Sequence, residues 1–481
     1  MKVLIVASEA VPFVKTGGLA DVAGSLLKEY RKMPDIEAYL MLPLYRGVAE
    51  RFDLRDKGIP LKIPMGTRYY GGRVWSHESS VYLLECAELF DRAELYGTPQ
   101  GDYPDNASRF IFFSRAVLDA CRALDLKPDI IHCNDWQTGL VPLYLKTRYH
   151  DDFFGGAASM LTIHNLGYQG LFGLSDFYLT GLGWEWFNPE GIEFYGKMNF
   201  LKAGIIASDF ITTVSRTYAE EILTPEYGYG LDGVLRKRSK ELYGVINGID
   251  IEEWNPLTDS HIAERYDASD LSGKVLCRKR LMEECNLAAG KRESPLVALV
   301  GRLSDQKGLD IFLDAMDEIM SWGVRLVILG KGDERVQEGV TRVAGKYRGS
   351  AFVRIGYDEA FAHRVYAGSD ILLMPSRYEP CGLGQMIAMR YGTVPVARKT
   401  GGLADTITDY DPLKGTGTGF LFEDYRATVL GECLKRSLCV FADKRRWKSM
   451  VAAAMKKDFS WENSARTYRE LYAAAARAKR L

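Results

Sequence analysis

Short apolar and β-branched runs alternate with helical patterns along almost the whole chain. Residues 3–7, 38–42, 81–84, 129–132, 160–163 and 210–214 predict one set of strands. Residues 296–300, 325–329, 352–355, 371–374, 394–397 and 419–422 predict a second. Runs without polar alternation suit strands buried on both faces, so the pattern predicts parallel sheets covered by helices. Behind the first strand, Leu19, Val22, Ala23, Leu26, Leu27 and Tyr30 place one apolar stripe on a helix. Two sets, each headed by a strong strand, predict an α/β protein of two doubly wound, Rossmann-like lobes. The turn-rich stretch 244–250, followed by Trp254-Asn255-Pro256, marks the expected boundary, giving lobes over 1–243 and 244–458. Trp461, Ala465, Tyr468 and Tyr472 recur at near-helical spacing and predict a terminal helix over 459–481 that packs back on the first lobe.

One heptapeptide occurs twice, as Lys15-Thr16-Gly17-Gly18-Leu19-Ala20-Asp21 and as Lys399-Thr400-Gly401-Gly402-Leu403-Ala404-Asp405. Chance gives such a repeat an expectation below ~10⁻³ at ordinary residue frequencies, so shared ancestry or shared chemistry is required. Both copies follow an apolar strand-like run and open a helical pattern. A Gly-Gly turn at that junction bares backbone N–H groups at a helix N-terminus, a favourable place for an anion. The pair predicts two similar lobes closing on one phosphate-bearing ligand.

Composition narrows the class. The chain has 481 residues with a net charge of −1, which gives no support for nucleic-acid or membrane binding through bulk charge. The eight cysteines show no C-x-x-C pair or zinc-ligand spacing and read as reduced thiols of a cytosolic protein. No signal-peptide core or membrane-length apolar run is visible.

The candidate chemistry lies in loops that leave strands. Arg302 and Lys307 flank the loop 301–308 and can converge on a diphosphate, one as a planar fork and the other as a point charge. Lys15 sits between the first strand and its helix, where Gly17 and Gly18 permit close backbone approach. Glu379, in Glu379-Pro380-Cys381-Gly382-Leu383, is expected at a helix N-terminus beside free N–H groups, gripping sugar hydroxyls. Cys381 reads as a lining residue and not a nucleophile. His164 and Asp135 end strands of the first lobe, where open α/β sheets place their ligands. The segment Gly330-Lys331-Gly332 lacks the third glycine of a dinucleotide fingerprint, which weighs against a nicotinamide dehydrogenase, and no Walker A sequence is present. Asp409-Tyr410-Asp411 has the spacing of a sugar-transferase metal motif but reads as a solvated loop.

Taken together, these motifs resemble the bacterial glycogen synthase and plant starch synthase family. The matching segments run nearly end to end: 15–21, 103–106, 162–165, 247–250 with 254–256, 301–308, 379–382 and 399–405. The resemblance implies a GT-B fold, with two Rossmann-like lobes facing across a deep cleft. It implies retaining transfer of glucose from ADP-glucose to the non-reducing end of an α-1,4-glucan such as glycogen, with neither a metal nor a cofactor. It further implies that Arg302 and Lys307 stabilise the leaving diphosphate and that Lys15 approaches the distal phosphate. Glu379 and the amides of Cys381, Gly382 and Leu383 would hold glucose hydroxyls and phosphate, with Thr400, Gly401 and Gly402 lining the donor pocket. His164 would lie against the donor sugar, and Asp21, Asp135 and Asn247 on the sugar and acceptor side. Asn134 and Gln137 stand where many bacterial members have histidine, and Gly384 where Thr or Asn is common. Two alternatives stay open: a GT-B transferase with a small acceptor, and a non-catalytic nucleotide-sugar or glucan-binding protein.

Overall fold

The computed structural model describes residues 1–98, 100–288 and 294–480. The chain forms two compact units. The first comprises Met1–Val214, Ala219–Val245 and Trp461–Leu481, and the second Ser215–Tyr218 with Ile246–Ser460. The change of unit between Val245 and Ile246 lies within the turn-rich stretch 244–250. The short piece Ser215–Tyr218 belongs with the second unit for a local reason: Asp405 accepts the N–H groups of Arg216 and Thr217, and Ser215 Oγ donates to the Pro380 carbonyl.

The first unit is built on strands β1 (Lys2–Val6), β2 (Glu37–Pro43), β3 (Arg55–Met65), β4 (Arg68–His77), β5 (Val81–Glu85), β6 (Ile130–Asn134), β7 (Ala158–Ile163), β8 (Phe210–Thr213) and β9 (Leu242–Gly244). They form one sheet in the order β9-β8-β7-β6-β1-β2-β5-β4-β3. Val3, Leu4, Ile5 and Val6 of β1 are fully buried, as a central strand covered on both faces must be. The sheet is mixed, because β3 and β4 pair antiparallel to each other and β4 antiparallel to β5. This corrects the expectation of purely parallel sheets. β3 and β4 are half exposed and carry Gly58, Pro60, Pro64, Gly71 and Gly72, so they lack the continuous apolar run that marks the buried strands.

The second unit has a six-stranded sheet of β10 (Leu296–Val300), β11 (Arg325–Gly330), β12 (Ala351–Ile355), β13 (Ile371–Met374), β14 (Val394–Arg398) and β15 (Phe420–Phe422). Its order is β12-β11-β10-β13-β14-β15 and all its pairs are parallel. This is the doubly wound order, whose direction reverses between β10 and β13. The parallel part of the first sheet reverses in the same way between β1 and β6. At such a reversal the crossovers leave to opposite sides, and the strand ends open a crevice for a ligand.

The helix Trp461–Arg480 is part of the first unit. It buries Trp461, Ala465, Tyr468 and Tyr472 against that unit's core, each large side chain contributing about 1.5–3 kcal/mol of apolar burial. The Tyr472 hydroxyl meets the Tyr30 hydroxyl at 3.1 Å and His132 Nδ1 at 2.7 Å, so these three buried polar groups are hydrogen-bonded. Among the described residues no helix is long and apolar enough to cross a membrane.

Candidate functional site

In the second unit the site residues gather at the carboxyl ends of β10 and β13. The loop after β10 ends at Gly308, whose φ is +70° and whose missing side chain lets the Pro375 carbonyl approach. A Cβ there would lie 1.9 Å from that oxygen, so only glycine fits. The contact brings Lys307 onto Glu379, with Nζ 2.6 Å from Oε2, and Ser376 Oγ donates to the same oxygen at 2.9 Å. Glu379 is only 4% exposed. Its carboxylate is therefore held by an ammonium and a hydroxyl. Arg302 stays exposed on the loop, with Nη2 3.4 Å from Gln306 Oε1, while Gln306 accepts the Arg377 N–H through its backbone carbonyl.

The backbone around Glu379 is packed against the second heptapeptide. A Cβ on Gly401 would lie 2.0 Å from the Glu379 carbonyl oxygen, and one on Gly402 2.0 Å from that of Cys381. Gly402 N–H donates to the Glu379 carbonyl at 3.0 Å. Thr400 precedes the helix Gly401–Thr406, and Leu383 precedes the helix Gly384–Arg390. Gly382 has φ +71°. The Cys381 thiol is buried, which pushes it up to about 12, with the Asn247 backbone as its hydrogen-bond partner. Asn247 is itself buried, and its side-chain oxygen has no partner among the described residues, which is an expensive arrangement unless a ligand satisfies it. Arg302, Lys307, Glu379, Cys381, Gly382, Leu383, Thr400, Gly401, Gly402 and Asn247 thus belong to one neighbourhood of one unit.

The first unit's residues gather at the ends of β1, β6 and β7. Asp135 follows β6 with φ +55° and ψ −172°, a conformation almost confined to glycine, so the fold stores strain at this position. Its carboxylate accepts the His164 N–H at 2.7 Å, and burial pushes its pKa up to about 7. His164 Nε2 lies 2.9 Å from Asn134 Oδ1, and burial pulls the imidazole down to about 3, so the ring is neutral at ordinary pH. His132, in the strand itself, is a core residue bonded to Tyr472 and Thr162.

The loop after β1 differs from the expectation of bare amides. Glu9, 4% exposed, takes the Thr16 and Gly17 N–H groups and the Thr16 hydroxyl, with the Tyr96 hydroxyl also donating to it at 3.2 Å. Burial raises the Glu9 pKa against these hydrogen bonds. The carboxylate occupies the anion position that the twin-glycine turn offers. Gly17 has an extended backbone, and a Cβ there would meet nothing within 4 Å. Gly18 begins the helix Gly18–Tyr30, and exposed Lys15 pairs with Asp21 at 2.8 Å.

Sequence reasoning missed Glu9, Tyr96, Ser376 and Gln385. Gln385 Nε2 donates to the carbonyls of Cys381 and Gly382 at 3.0 and 2.8 Å, pinning the loop that carries Glu379. No local motif announces these residues: Tyr96 meets Glu9 from a distant segment, Glu9 and Gln385 act on backbone amides and carbonyls, and Ser376 gives a single hydroxyl to Glu379. Asp409 and Asp411 are engaged in loop structure: Asp409 pairs with Arg436 at 2.9 Å, and Asp411 accepts the N–H groups of Leu413 and Lys414. Away from the strand ends, Glu253, Glu359 and His363 bring candidate ligand atoms within 4.8 Å of one another, with His363 Nδ1 already bonded to Asp259 at 2.7 Å.

Residues 2–237 match the family model described as the starch synthase catalytic domain, and residues 294–438 match that of glycosyl transferases group 1. The chain is 45% identical to a glycogen synthase of Thermodesulfovibrio yellowstonii, over 98% of this chain and 97% of the relative. It is equally 45% identical to a glycogen synthase of Thermotoga maritima, over 98% of each. The catalytic domain of starch synthase IV from Arabidopsis thaliana, solved bound to ADP and acarbose, superposes with a TM-score of 0.91 at 34% identity, covering 99% of both chains. A sucrose-phosphate synthase from Thermosynechococcus elongatus shares the fold at a TM-score of 0.59 and 18% identity, covering 98% of this chain and 99% of that one.

Proposed function

The chain belongs to the glycogen and starch synthase family of glycosyltransferases, and from that membership we propose that it transfers glucose from ADP-glucose to the non-reducing end of an α-1,4-glucan, lengthening glycogen with retention at the anomeric carbon. The observation that carries the reading is the Lys307–Glu379–Ser376 cluster at the switch point of the second sheet, with Arg302 on the same loop. Cleaving a glycosyl–phosphate bond builds negative charge on the diphosphate. Arg302 and Lys307 are assigned to that charge, with Lys15 of the first unit assigned to the distal phosphate. Glu379 and the unpartnered Asn247 oxygen suit sugar hydroxyls. His164, held neutral, donates or accepts a hydrogen bond at the sugar without adding charge.

Retention through a covalent intermediate needs a carboxylate nucleophile that stands free beside the anomeric carbon. Glu379 is tied to Lys307, and Asp135 is tied to the His164 amide in a buried setting that favours its neutral form. Same-face attack, in which the leaving phosphate takes the acceptor's proton, fits these two environments better. Trapping a covalent glucosyl-enzyme on either carboxylate would refute it. The described cysteines are free thiols, which accords with a cytoplasmic setting.

Incubation with labelled ADP-glucose and glycogen tests the reading, with UDP-glucose as competitor. Label in the polymer that ADP-glucose supplies in preference supports it. Label confined to a small acceptor, or none at all, overturns it.

A further inference from the structure

The tyrosines of the first unit that stand in solvent include Tyr168, 52% exposed, Tyr195, 84%, and Tyr229, 41%. Two of them sit on backbone that tyrosine avoids. Tyr195 has φ +50° and is followed by Gly196 at φ +78°, forming the two-residue turn of a hairpin in which Phe194 pairs with Lys197. Such a turn favours Asn-Gly or Gly-Gly, so a tyrosine at its first position costs stability and buries nothing in return. Tyr229, at φ +47° before Gly230 at φ +80°, repeats the arrangement. An exposed aromatic ring held at a strained position is a mark of function.

The two turns are close and rigidly supported. A Cβ on Gly230 would lie 3.6 Å from the Tyr195 ring. Beneath the hairpin, buried Lys202 donates to the carbonyls of Pro189 and Glu193 at 2.7 and 2.6 Å. Asn199 Nδ2 donates to Gln169 Oε1 at 2.6 Å, and Gln169 Nε2 donates to the Tyr229 carbonyl at 3.1 Å. This chain of buried amides ties the hairpin strand, the residue after Tyr168 and the backbone of Tyr229 into one frame. Along the chain this frame leads into the candidate site. Tyr168 closes a turn on the Asn165 carbonyl, and Asn165 is next to His164.

We propose that Tyr195 and Tyr229, with Tyr168 at the end nearer His164, form a platform on which the acceptor α-glucan stacks its sugar faces. The inference rests on the glucan-elongating reading above. Flat rings that carry a hydroxyl at the edge suit a pyranose, which offers an apolar C–H face and a polar rim. Rings held in place before binding lose little freedom when the chain arrives.

Tyr195→Asn separates this role from a structural one, because Asn before Gly is the favoured turn. The variant should melt at or above the wild-type temperature. Its KM for glycogen should rise about tenfold, as expected for loss of one anchoring ring, while KM for ADP-glucose stays constant. Tyr195→Trp should keep glycogen affinity, and Tyr229→Asn should resemble Tyr195→Asn. Retardation in native gels containing glycogen gives a second readout, with retardation lost in both Asn variants. If wild-type enzyme labels glycogen and both Asn variants bind and use it within twofold of wild type, the platform is wrong and the activity stands. If the wild type does not label glycogen, the reading of function has failed first, and gel retardation alone decides whether the tyrosines hold a glucan.

Discussion

Replacing Lys307 by Met should separate what the Lys307–Glu379 pair does for stability from what it does for catalysis. The carboxylate is 4% exposed and its partner nitrogen lies 2.6 Å away, while the Lys307 side chain keeps 21% of its exposure. Removing the lysine leaves a buried negative charge with the Ser376 hydroxyl as its remaining side-chain donor among the contacts described above. Breaking a fully buried pair costs roughly 3–5 kcal/mol, and the partial exposure of Lys307 puts this one at the lower end, about 3 kcal/mol. In a unit of this size that lowers Tm by about 6 °C or more. Glu379→Gln alone should cost less, because an ammonium on a flexible stem can swing toward water. The double variant has no unpaired charge, so it should recover about 2 kcal/mol relative to the sum of the singles. Catalysis should not recover: Lys307→Met and the double should both lose about 10²–10³ in kcat, since the charge aimed at the diphosphate is gone. Calorimetric melts and initial rates on the same preparations make the comparison. Additive stability losses, with coupling below about 0.5 kcal/mol, would refute the buried-pair argument. Near-normal rates with Lys307→Met would refute the catalytic one.

Other expectations are narrower. Of the eight cysteines seven are buried, so brief alkylation of the native enzyme at pH 8 should label Cys439 and spare Cys381, as peptide mass spectrometry would show. Asp135, raised to about 7 by burial, holds its proton in the folded state above the pH at which the unfolded chain loses it. Its contribution is therefore fully present below about pH 4 and is lost as pH rises through about 7. Asp135→Asn should accordingly gain stability relative to wild type as pH rises from 5 to 8, by up to about 3 kcal/mol, and a pH-independent difference would contradict the assigned burial. Because His164 is pulled down to about 3, no limb of the pH–rate profile between 5 and 8 should vanish in His164→Gln, although its rate should fall. Glu9→Ala strands the Thr16 and Gly17 amides and should cost about 1–3 kcal/mol and weaken ADP-glucose use; unchanged kinetics would show that the loop needs no such anchor.

The buried strands were legible because each is a short unbroken apolar run, and β10 and β13 fall where the pattern places them. β3 and β4 were not, since half-exposed strands interrupted by proline and glycine carry no such signal. Site residues that sit in strand–loop–helix junctions, such as Lys307 and Asp135, could be found from position and charge. Several residues that hold the loops in place could not. Glu9 meets Thr16 through a turn, and Gln385 acts on two carbonyls that no residue pattern marks. The strain at Asp135 is a backbone property, invisible until φ is known.

The repeated heptapeptide shows how little of an environment a sequence of that length determines. In the first copy Gly17 faces open space and a neighbouring glutamate takes its amide, so the glycine preserves room. In the second copy Gly401 and Gly402 are jammed against the Glu379 and Cys381 carbonyls, so the glycines permit contact. The lysines diverge likewise: Lys15 pairs with Asp21 inside its own copy, whereas Lys399 reaches outside its copy to Glu423. The two aspartates follow suit, Asp21 answering a lysine and Asp405 capping the backbone at Arg216 and Thr217. Substituting alanine should then act oppositely in the two copies. At Gly401 or Gly402 the new Cβ has no space and the loop that carries Glu379 must shift, whereas at Gly17 it fits and can only obstruct what approaches from solvent. A Gly17→Ala enzyme that melts like wild type but uses ADP-glucose poorly, beside a Gly402→Ala enzyme that loses stability as well, would be the signature of one sequence serving two physical purposes.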